Sequence, residues 1–260
     1  MSPSHLEIEA KLVILSESPR EIALAIGQLD ALGEWLLRKR RPVAVRDTYF
    51  DVADDALGKL GIALRLRRSA DECLITVKGP EREADGVLER RELEDSWTEV
   101  ALDSVLAYLT SFGLELTVPD GVSSDDDPER VLGAIGLVPT QDRGTTRVRG
   151  EVIARAEDTG SLAELSVDEV TYLIGSRNVR HYEVEIELEH AGDVATLGAV
   201  RAELQRRWND LRSWSYSKYA TGRALAKLLT HLDSEGLIGP GGVLKPAAYS
   251  AVEELLQQQG

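Results

Sequence analysis

Five segments of the sequence carry charged residues at every second position, the spacing that places side chains on one face of a β-strand. Carboxylate oxygens are hard ligands suited to Mg²⁺ or Mn²⁺, whereas guanidinium and ammonium groups suit phosphate oxygens. Together they are the groups that phosphoryl transfer uses, because positioning and charge neutralisation carry most of its rate. The five rows are Glu7, Glu9 and Lys11; Arg65 and Arg67; Arg90, Glu92 and Glu94; Arg147 and Arg149; and Glu183, Glu185, Glu187 and Glu189.

The number of charged rows bears on how their strands are arranged. One charged strand face is ordinarily solvated, and a scaffold whose charged faces all meet water is the simplest interpretation. Four like charges along one strand, however, destabilise a sheet unless cations lie opposite them. A sheet of about eight strands that closes on itself offers an interior for side chains or one small ligand. We therefore favour a closed barrel with a charged interior and an apolar outside covered by helices, and keep the solvated scaffold as the alternative.

The remaining pattern predicts an α+β fold in which closely spaced strands pair antiparallel. An N-cap serine, a proline and an acidic first turn at residues 18–21 open an apolar-periodic helix that we expect to reach about Arg40. Its C-terminus would hold the solvated basic run Arg38–Arg41. The other predicted helices cover 103–112, 127–135 and 194–208, and the predicted strands cover 6–15, 43–50, 63–68, 74–78, 88–94, 145–154, 162–174 and 180–189.

The end of the chain differs in character from the rest. Residues 231–246 are rich in glycine and contain two prolines, and residues 247–259 can form a short helix. We therefore expect one domain over residues 1–230, followed by a linker and tail over residues 231–260.

Composition and charge narrow the class of protein. The chain has 260 residues, of which 43% are hydrophobic, and a net charge of −15 argues against general nucleic-acid binding. Cys73 is the one cysteine, the first residues lack a signal-peptide pattern, and no run of about 18 apolar residues occurs. We expect a cytoplasmic protein without membrane association, for which a homodimer is a reasonable expectation because homodimers are common.

In chain order, the motifs resemble those of the CYTH superfamily, also called triphosphate tunnel metalloenzymes. The resemblance implies an eight-stranded antiparallel β-tunnel in which Mg²⁺ or Mn²⁺ assists hydrolysis of a terminal phosphoanhydride, in inorganic triphosphate or short polyphosphate. It spans about residues 5–229 through the segments Glu7–Lys11, Asp47–Asp51, Leu64–Arg67, Leu74–Gly79, Arg90–Glu94, Thr145–Arg147, Leu165–Asp168, Glu183–Glu187 and Ser217–Tyr219.

The resemblance also implies roles for individual residues. The implied phosphate-binding residues are Lys11, Arg65, Arg67, Lys78, Arg90, Arg143, Arg147, Arg149 and Lys218. The implied metal ligands are Glu7, Glu9, Asp168, Glu183, Glu185 and Glu187, where Glu183 depends on which of two alignments of the glutamate run applies. The implied catalytic residues are Glu7, Glu9, Lys11, Glu92 and Glu94, the last two placing a second metal or the attacking water.

Other polar residues have simpler interpretations. We expect Asp47 and Asp51 to cap the ends of a strand, and His181 to be a surface or edge histidine, since the four histidines show no metal-ligand spacing.

Three other functions fit the same motifs. A class IV-type adenylate cyclase or a thiamine triphosphatase would use the same metal and phosphate ligands, although an aromatic content of 5% disfavours a dedicated base or thiamine pocket. A polyphosphate-binding module without turnover is the third.

Overall fold

The structure, a computed structural model, describes residues 5–84, 87–154, 160–189, 194–231 and 236–258. Eight strands form a closed antiparallel β-barrel with helices packed around it, which confirms the predicted α+β fold class. The described residues contain twelve strands, of which eight form the barrel. They are β1 His5–Ile14, β2 Ala31–Leu32, β3 Trp35–Lys39, β4 Val43–Val52, β5 Ala63–Arg68, β6 Cys73–Lys78, β7 Arg82–Ala84, β8 Val87–Ser96, β9 Leu137–Ile153, β10 Ala163–Ile174, β11 Arg177–Leu188 and β12 Leu211–Ser213. The barrel order is β10-β11-β1-β8-β6-β5-β4-β9, and β9 pairs with β10.

Seven helices occur in the described residues, and none of them is long and apolar enough to cross a lipid bilayer. They are α1 Pro19–Gly27, α2 Ala56–Lys59, α3 Glu99–Thr110, α4 Pro128–Ala134, α5 Val194–Arg207, α6 Lys218–His231 and α7 Pro246–Gln257. The chain divides into two compact units. The first holds the described residues within 1–6, 45–82 and 90–142, and the second holds those within 7–44, 83–89 and 143–260.

The first unit packs strands β4, β5 and β6 against the helices α2, α3 and α4. Leu64 and Leu66 of β5 belong to this apolar cluster, together with Leu102 and Leu109 of α3. Arg65 lies between these two leucines in the sequence and therefore projects to the opposite face of the strand, where it is also buried. Both faces of β5 are thus enclosed.

The second unit shows the same arrangement on β1. Ala10 and Leu12 join an apolar cluster that also includes Ile26 of α1. Glu9 and Lys11 alternate with them on the other face, and each is only 2% exposed. A solvated outer face is therefore excluded for this strand, and the interpretation of the charged strands as a water-facing scaffold is wrong.

The helix predicted from residue 18 to about Arg40 was too long. Helix α1 ends at Gly27, and the hairpin of β2 and β3 follows, with Gly33 at its turn at a φ of +57°. Such a positive φ is typical of glycine in a tight turn and incompatible with a continuing helix. Trp35 and Leu37 are buried while Leu36 is exposed, which is the alternation of a strand. The basic run therefore begins on a strand and not at a helix C-terminus.

The C-terminal part contains one helix that the pattern did not predict, α6, and one that it did, α7. Helix α7 buries Ala248, Tyr249 and Val252 in an apolar cluster shared with α6. Residues 232–235 of the predicted linker and 259–260 of the predicted tail lie outside the described residues. The boundary at residue 230 remains a prediction.

Asp51 has a structural role that suggests a test. Its side chain accepts hydrogen bonds from the backbone N–H groups of Val52 at 2.7 Å, Leu57 at 2.9 Å and Gly58 at 2.9 Å. Asp51→Ala leaves buried donors unsatisfied, so we expect it to lower the free energy of unfolding by about 2–4 kcal/mol in urea denaturation. Asp51→Asn should lose less because it keeps one acceptor oxygen, and the exposed Asp54→Ala should change stability by less than about 0.5 kcal/mol. An Asp51→Ala protein as stable as wild type would contradict this role.

Candidate active site

Three buried carboxylates converge in the second unit. Strands β10 and β11 pair antiparallel with Asp168 opposite Glu183 and Ser166 opposite Glu185. Asp168, Glu183 and Glu185 each place a carboxylate oxygen within 4.8 Å of the other two, and all three residues are buried. We call these three residues the carboxylate cluster. So many like charges in one buried place require cations nearby.

Lys218, the first residue of α6, supplies one of these cations. Its Nζ lies 3.0 Å from a carboxylate oxygen of Asp168 and 2.6 Å from one of Glu185, and it also contacts Glu183. The ammonium group thus touches all three members of the carboxylate cluster. A metal ion bound by these carboxylates would compete with Lys218 for the same oxygens.

Two further cations approach from neighbouring strands. Arg147 of β9 donates hydrogen bonds from Nε and Nη2 to the two oxygens of Asp168 at 2.8 and 2.7 Å, and its Nη2 lies 2.5 Å from Glu185. Lys11 of β1 pairs in register with Glu185, and its Nζ lies 3.5 Å from that carboxylate and 3.3 Å from Glu9. The paired contacts of Arg147 with Asp168 hold its guanidinium group in one orientation.

The three carboxylates differ in their protonation. Burial raises the pKa of Glu183 to about 7, and the charge of Glu185 adds to this effect although Lys218 opposes it. For Glu185, burial is outweighed by Lys218 and Arg147, so its pKa lies well below the usual value. The pKa of Asp168 is likewise lowered because Arg147 and Lys218 outweigh burial. Asp168 and Glu185 are therefore ionised at neutral pH.

The donor set fits a divalent cation. All three ligands are carboxylates, which suit Mg²⁺ and Mn²⁺, whereas zinc sites are built mainly from cysteine and histidine. The close approach of the three oxygens and their burial match what a small, hard cation needs from a protein.

His181 was wrongly expected at the surface or an edge. It is completely buried on β11, with Nε2 3.6 Å from a carboxylate oxygen of Glu183 and 3.4 Å from the hydroxyl of Tyr172. That hydroxyl donates to the backbone carbonyl of Lys218 at 2.9 Å. Burial and the charge of Lys218 lower the pKa of His181 to about 3, so the ring is neutral. His181 lies two residues before Glu183 on β11, and this spacing places it on the charged face of the strand.

The first unit carries a cluster of charged residues around Arg65. Its Nη2 lies 3.1 Å from Glu94 and 3.7 Å from Glu92, and its Nη1 lies 3.7 Å from Asp47. Lys78 Nζ lies 3.1 Å from Glu92. The basic residues of this cluster are thus held in place by carboxylates.

Asp47 and Glu94 show how these contacts are organised. Arg67 donates from Nε and Nη2 to the two oxygens of Asp47 at 2.8 and 3.1 Å, so Asp47 orients an arginine. Burial opposes the ionisation of Glu94, but Arg65, Arg67 and a hydrogen bond from Thr76 at 2.7 Å lower its pKa to about 2. Glu94 is therefore a carboxylate at any physiological pH.

Comparison with known protein families identifies the family of this chain. The model of the CYTH domain matches residues 5–211, which is most of the chain. The chain belongs to the CYTH family. CYTH proteins depend on metal and act on triphosphate substrates. A comparison with curated proteins finds no match.

Comparison with solved structures finds proteins that this chain resembles. HpAC1 from Hippeastrum, described as a candidate adenylyl cyclase with a dominant triphosphatase activity, superposes with a TM-score of 0.53 at 19% identity, covering 84% of this chain and 95% of the other. A candidate adenylate cyclase from Bacillus halodurans gives a TM-score of 0.48 at 17% identity and covers 88% and 99%. At such identities the likeness concerns the fold.

The other residues that the CYTH resemblance implicates have neighbours of their own. Among the described residues, Glu7, Glu9 and Glu187 are not part of the group of three, although Glu9 and Glu187 face each other in register. Arg143 is buried, with only 1% of its surface exposed. Arg90 pairs with Glu81 in the first unit, whereas Arg149 Nη1 lies 3.8 Å from Glu164 in the second.

Proposed function

We propose that this CYTH protein is a divalent-metal-dependent hydrolase that cleaves a phosphoanhydride bond of inorganic triphosphate or short polyphosphate. One observation carries the proposal: Asp168, Glu183 and Glu185 converge in a buried position and are surrounded by Lys218 and Arg147. Hard oxygen ligands beside fixed cations are the combination that phosphoryl transfer requires. Membership of a family that acts on triphosphates gives this combination its substrate class.

The carboxylate cluster would hold Mg²⁺ or Mn²⁺. When bound, such an ion neutralises phosphate oxygens and lowers the pKa of a coordinated water molecule. The chain's own contribution is to gather the ligands on adjacent strands, Asp168 on β10 and Glu183 and Glu185 on β11. Glu9 lies on the neighbouring strand β1 and pairs in register with Glu187 of β11. We propose it as a further acidic residue of the site.

Arg147 and Lys218 would bind the phosphate groups. Both side chains donate hydrogen bonds to the carboxylate cluster. A metal ion on those carboxylates would take over their charge neutralisation and release both cations toward an anionic ligand. Because these groups are buried, their attraction for phosphate is screened much less than at a protein surface.

Arg65, Arg67 and Lys78 of the first unit are proposed phosphate ligands on the strength of the family motifs. Their carboxylate partners Glu92 and Asp47 hold them in defined orientations. Orientation of this kind reduces the side-chain entropy that phosphate binding would otherwise cost. Glu94 and Glu92 are the proposed residues for a second metal or for the attacking water.

A substrate panel tests the proposed activity. The purified chain is incubated with inorganic triphosphate, short polyphosphate, ATP or thiamine triphosphate, each with Mg²⁺, with Mn²⁺ and with a chelator. Orthophosphate, pyrophosphate and cyclic AMP are quantified. We expect metal-dependent release of orthophosphate and pyrophosphate from inorganic triphosphate, at a higher kcat/KM than for either organic substrate.

Each alternative function predicts a different result in this panel. Cyclic AMP together with pyrophosphate from ATP would identify a cyclase, and preferential cleavage of thiamine triphosphate would identify a thiamine triphosphatase. Tight binding of triphosphate with saturating metal but no product would identify a binding module. Any of these three results would overturn the proposal.

A further inference from the structure

The basic face of β9 continues beyond the carboxylate cluster. Arg147, Arg149 and Glu151 alternate along the strand and share one face, about 7 Å apart from one to the next. Strand β3 pairs with this end of β9, with Arg38 opposite Glu151. The backbone N–H of Arg40 donates to the carbonyl of Arg149 at 2.9 Å, which places Arg40 beside that residue. Arg38 of β3 and Arg40, which follows the end of that strand, thus extend a row that starts at the carboxylate cluster.

Side-chain contacts show that these arginines gather on the same face. Arg38 Nη1 donates to Glu151 at 3.0 Å, and Arg40 Nη2 contacts the other oxygen of the same carboxylate. Arg40 also lies 4.0 Å from Glu189, the last residue of the glutamate row. Lys39 points the other way, to Asp30 at 2.7 Å. We call Arg149, Arg38 and Arg40 the arginine track.

Exposure increases along the track away from the carboxylate cluster. The side chain of Arg147 is 19% exposed, that of Arg149 is 31% exposed, and those of Arg38 and Arg40 are 43% and 45% exposed. The row therefore leads from a buried group of charges to water, which suits a long ligand with one end inside and the rest outside.

The guanidinium group of Arg149 is only partly satisfied by its neighbours in the described residues. Its nearest carboxylate contact, to Glu164, is 3.8 Å long and therefore too long for a hydrogen bond. Its Nε is buried and has no hydrogen-bond partner among the described residues. A buried donor without an acceptor costs free energy, which an incoming phosphate oxygen would recover.

We propose that the arginine track binds the phosphate groups of a linear polyphosphate that extend beyond the three nearest the carboxylate cluster. This inference rests on the proposed function and extends its substrate class to chains longer than triphosphate. Each internal phosphate carries a negative charge and oxygens that match the planar guanidinium fork. Arginines at strand spacing offer such forks repeatedly along a flexible anionic chain.

A carboxylate beside the arginine track holds two of its arginines. Glu151 holds both Arg38 and Arg40, which keeps two like charges together at a half-exposed site. A polyphosphate would replace Glu151 as their partner. Removing the charge of Glu151 should therefore favour the polyphosphate, whereas removing the arginines should disfavour it.

The test compares two ligands across matched variants. Dissociation constants for inorganic triphosphate and for a linear polyphosphate several times longer are measured by calorimetry, with Ca²⁺ present to suppress turnover. In wild type we expect the longer chain to bind more tightly. In Arg38→Ala/Arg40→Ala, we expect the ratio of the two affinities to fall about tenfold, because two charge-assisted hydrogen-bond donors are lost at a half-exposed site.

Two further variants separate the track from general charge. Lys39→Ala removes one similarly exposed cation from the same strand but from its other face, and we expect the affinity ratio to stay within about twofold. Glu151→Gln should move the ratio in the opposite direction, toward tighter binding of the longer chain. Circular dichroism and thermal unfolding of every variant establish that it is folded.

The outcomes distinguish this inference from the proposed function. If wild type hydrolyses triphosphate but the ratio is the same in the double variant and in Lys39→Ala, the arginine track is rejected and the hydrolase stands. If no substrate is hydrolysed but the ratio falls only in the double variant, the hydrolase is rejected and the track stands. An unchanged or lower ratio in Glu151→Gln would also count against the track.

Discussion

Glu185→Gln is expected to lower the kcat for inorganic triphosphate by about 10²–10³-fold, because it removes one proposed metal ligand and the partner of three cations. Glu185 contacts Lys218, Arg147 and Lys11, more of the surrounding cations than Asp168 contacts. Glutamine keeps the size of the side chain but supplies no negative charge. Mn²⁺ affinity, measured by electron paramagnetic resonance, should fall in the same variant.

A matched substitution controls for the loss of a carboxylate. Glu169 follows Asp168 on β10, projects from the other face and is only partly buried. Glu169→Gln therefore removes the same charge from the same region without touching the carboxylate cluster, and should keep wild-type turnover and Mn²⁺ affinity. Equal effects of Glu169→Gln and Glu185→Gln would contradict the assignment of the metal site.

Lys218→Met should separate metal binding from catalysis. The ammonium of Lys218 contacts all three carboxylates of the cluster, so a neutral side chain of similar length removes a competitor for the metal. We expect Mn²⁺ affinity to rise by about tenfold or more, since each displaced charge contact is worth at least about 1.5 kcal/mol at a buried site. Turnover should nevertheless fall by about 10²-fold because a phosphate ligand is lost.

The same variant should acquire metal-dependent stability. Without metal, the carboxylates lose their central cation, and breaking a buried ion pair costs about 3–5 kcal/mol. Saturating Mg²⁺ should restore most of the lost stability in urea denaturation. Lys227→Met, on the exposed side of the same helix, is the control and should change neither quantity. A Lys218→Met protein with unchanged metal affinity would show that the ammonium and the metal do not share ligands.

The barrel was predictable from the sequence because parts of several strands, such as β1, β5 and β11, alternate charged and apolar residues. A row such as Glu183–Glu189 favours an arrangement with cations opposite it, and the burial of Glu9 and Lys11 in the structure excluded the water-facing alternative. The predicted strand over residues 63–68 matches β5 in both bounds, and residues 64–67 alternate leucine with arginine. Local alternation is a strong signal whenever both faces of a strand are occupied by chemically different groups.

The error at α1 has a local cause. Leucines and isoleucines continue through residues 22–37 with a spacing that serves both a helix and a hairpin, and the deciding residue is Gly33. Misplacing the hairpin also hid the meaning of Arg38 and Arg40, which acquire a common face with Arg149 only once β3 pairs with β9. Strand pairing is a tertiary property that local pattern does not contain.

The site was predictable in its residue types but not in its pairings. The motifs implicate Lys218 in phosphate binding, whereas the structure has its ammonium among three carboxylates. His181 and Tyr172, which contact Glu183 and the backbone of Lys218, carry no motif of their own. These partners depend on α6 reaching β10 and β11, a contact between residues distant in sequence.

The most direct test of the central claim measures metal occupancy and hydrolysis in the same samples. Bound Mn²⁺ is quantified by electron paramagnetic resonance across a titration, and orthophosphate release from inorganic triphosphate is recorded at each point. We expect the rate to rise in proportion to Mn²⁺ bound in wild type, and Glu185→Gln to lower both at the same metal concentration. Hydrolysis at the full rate with a chelator present, or Mn²⁺ binding that Glu185→Gln leaves intact, would contradict the claim.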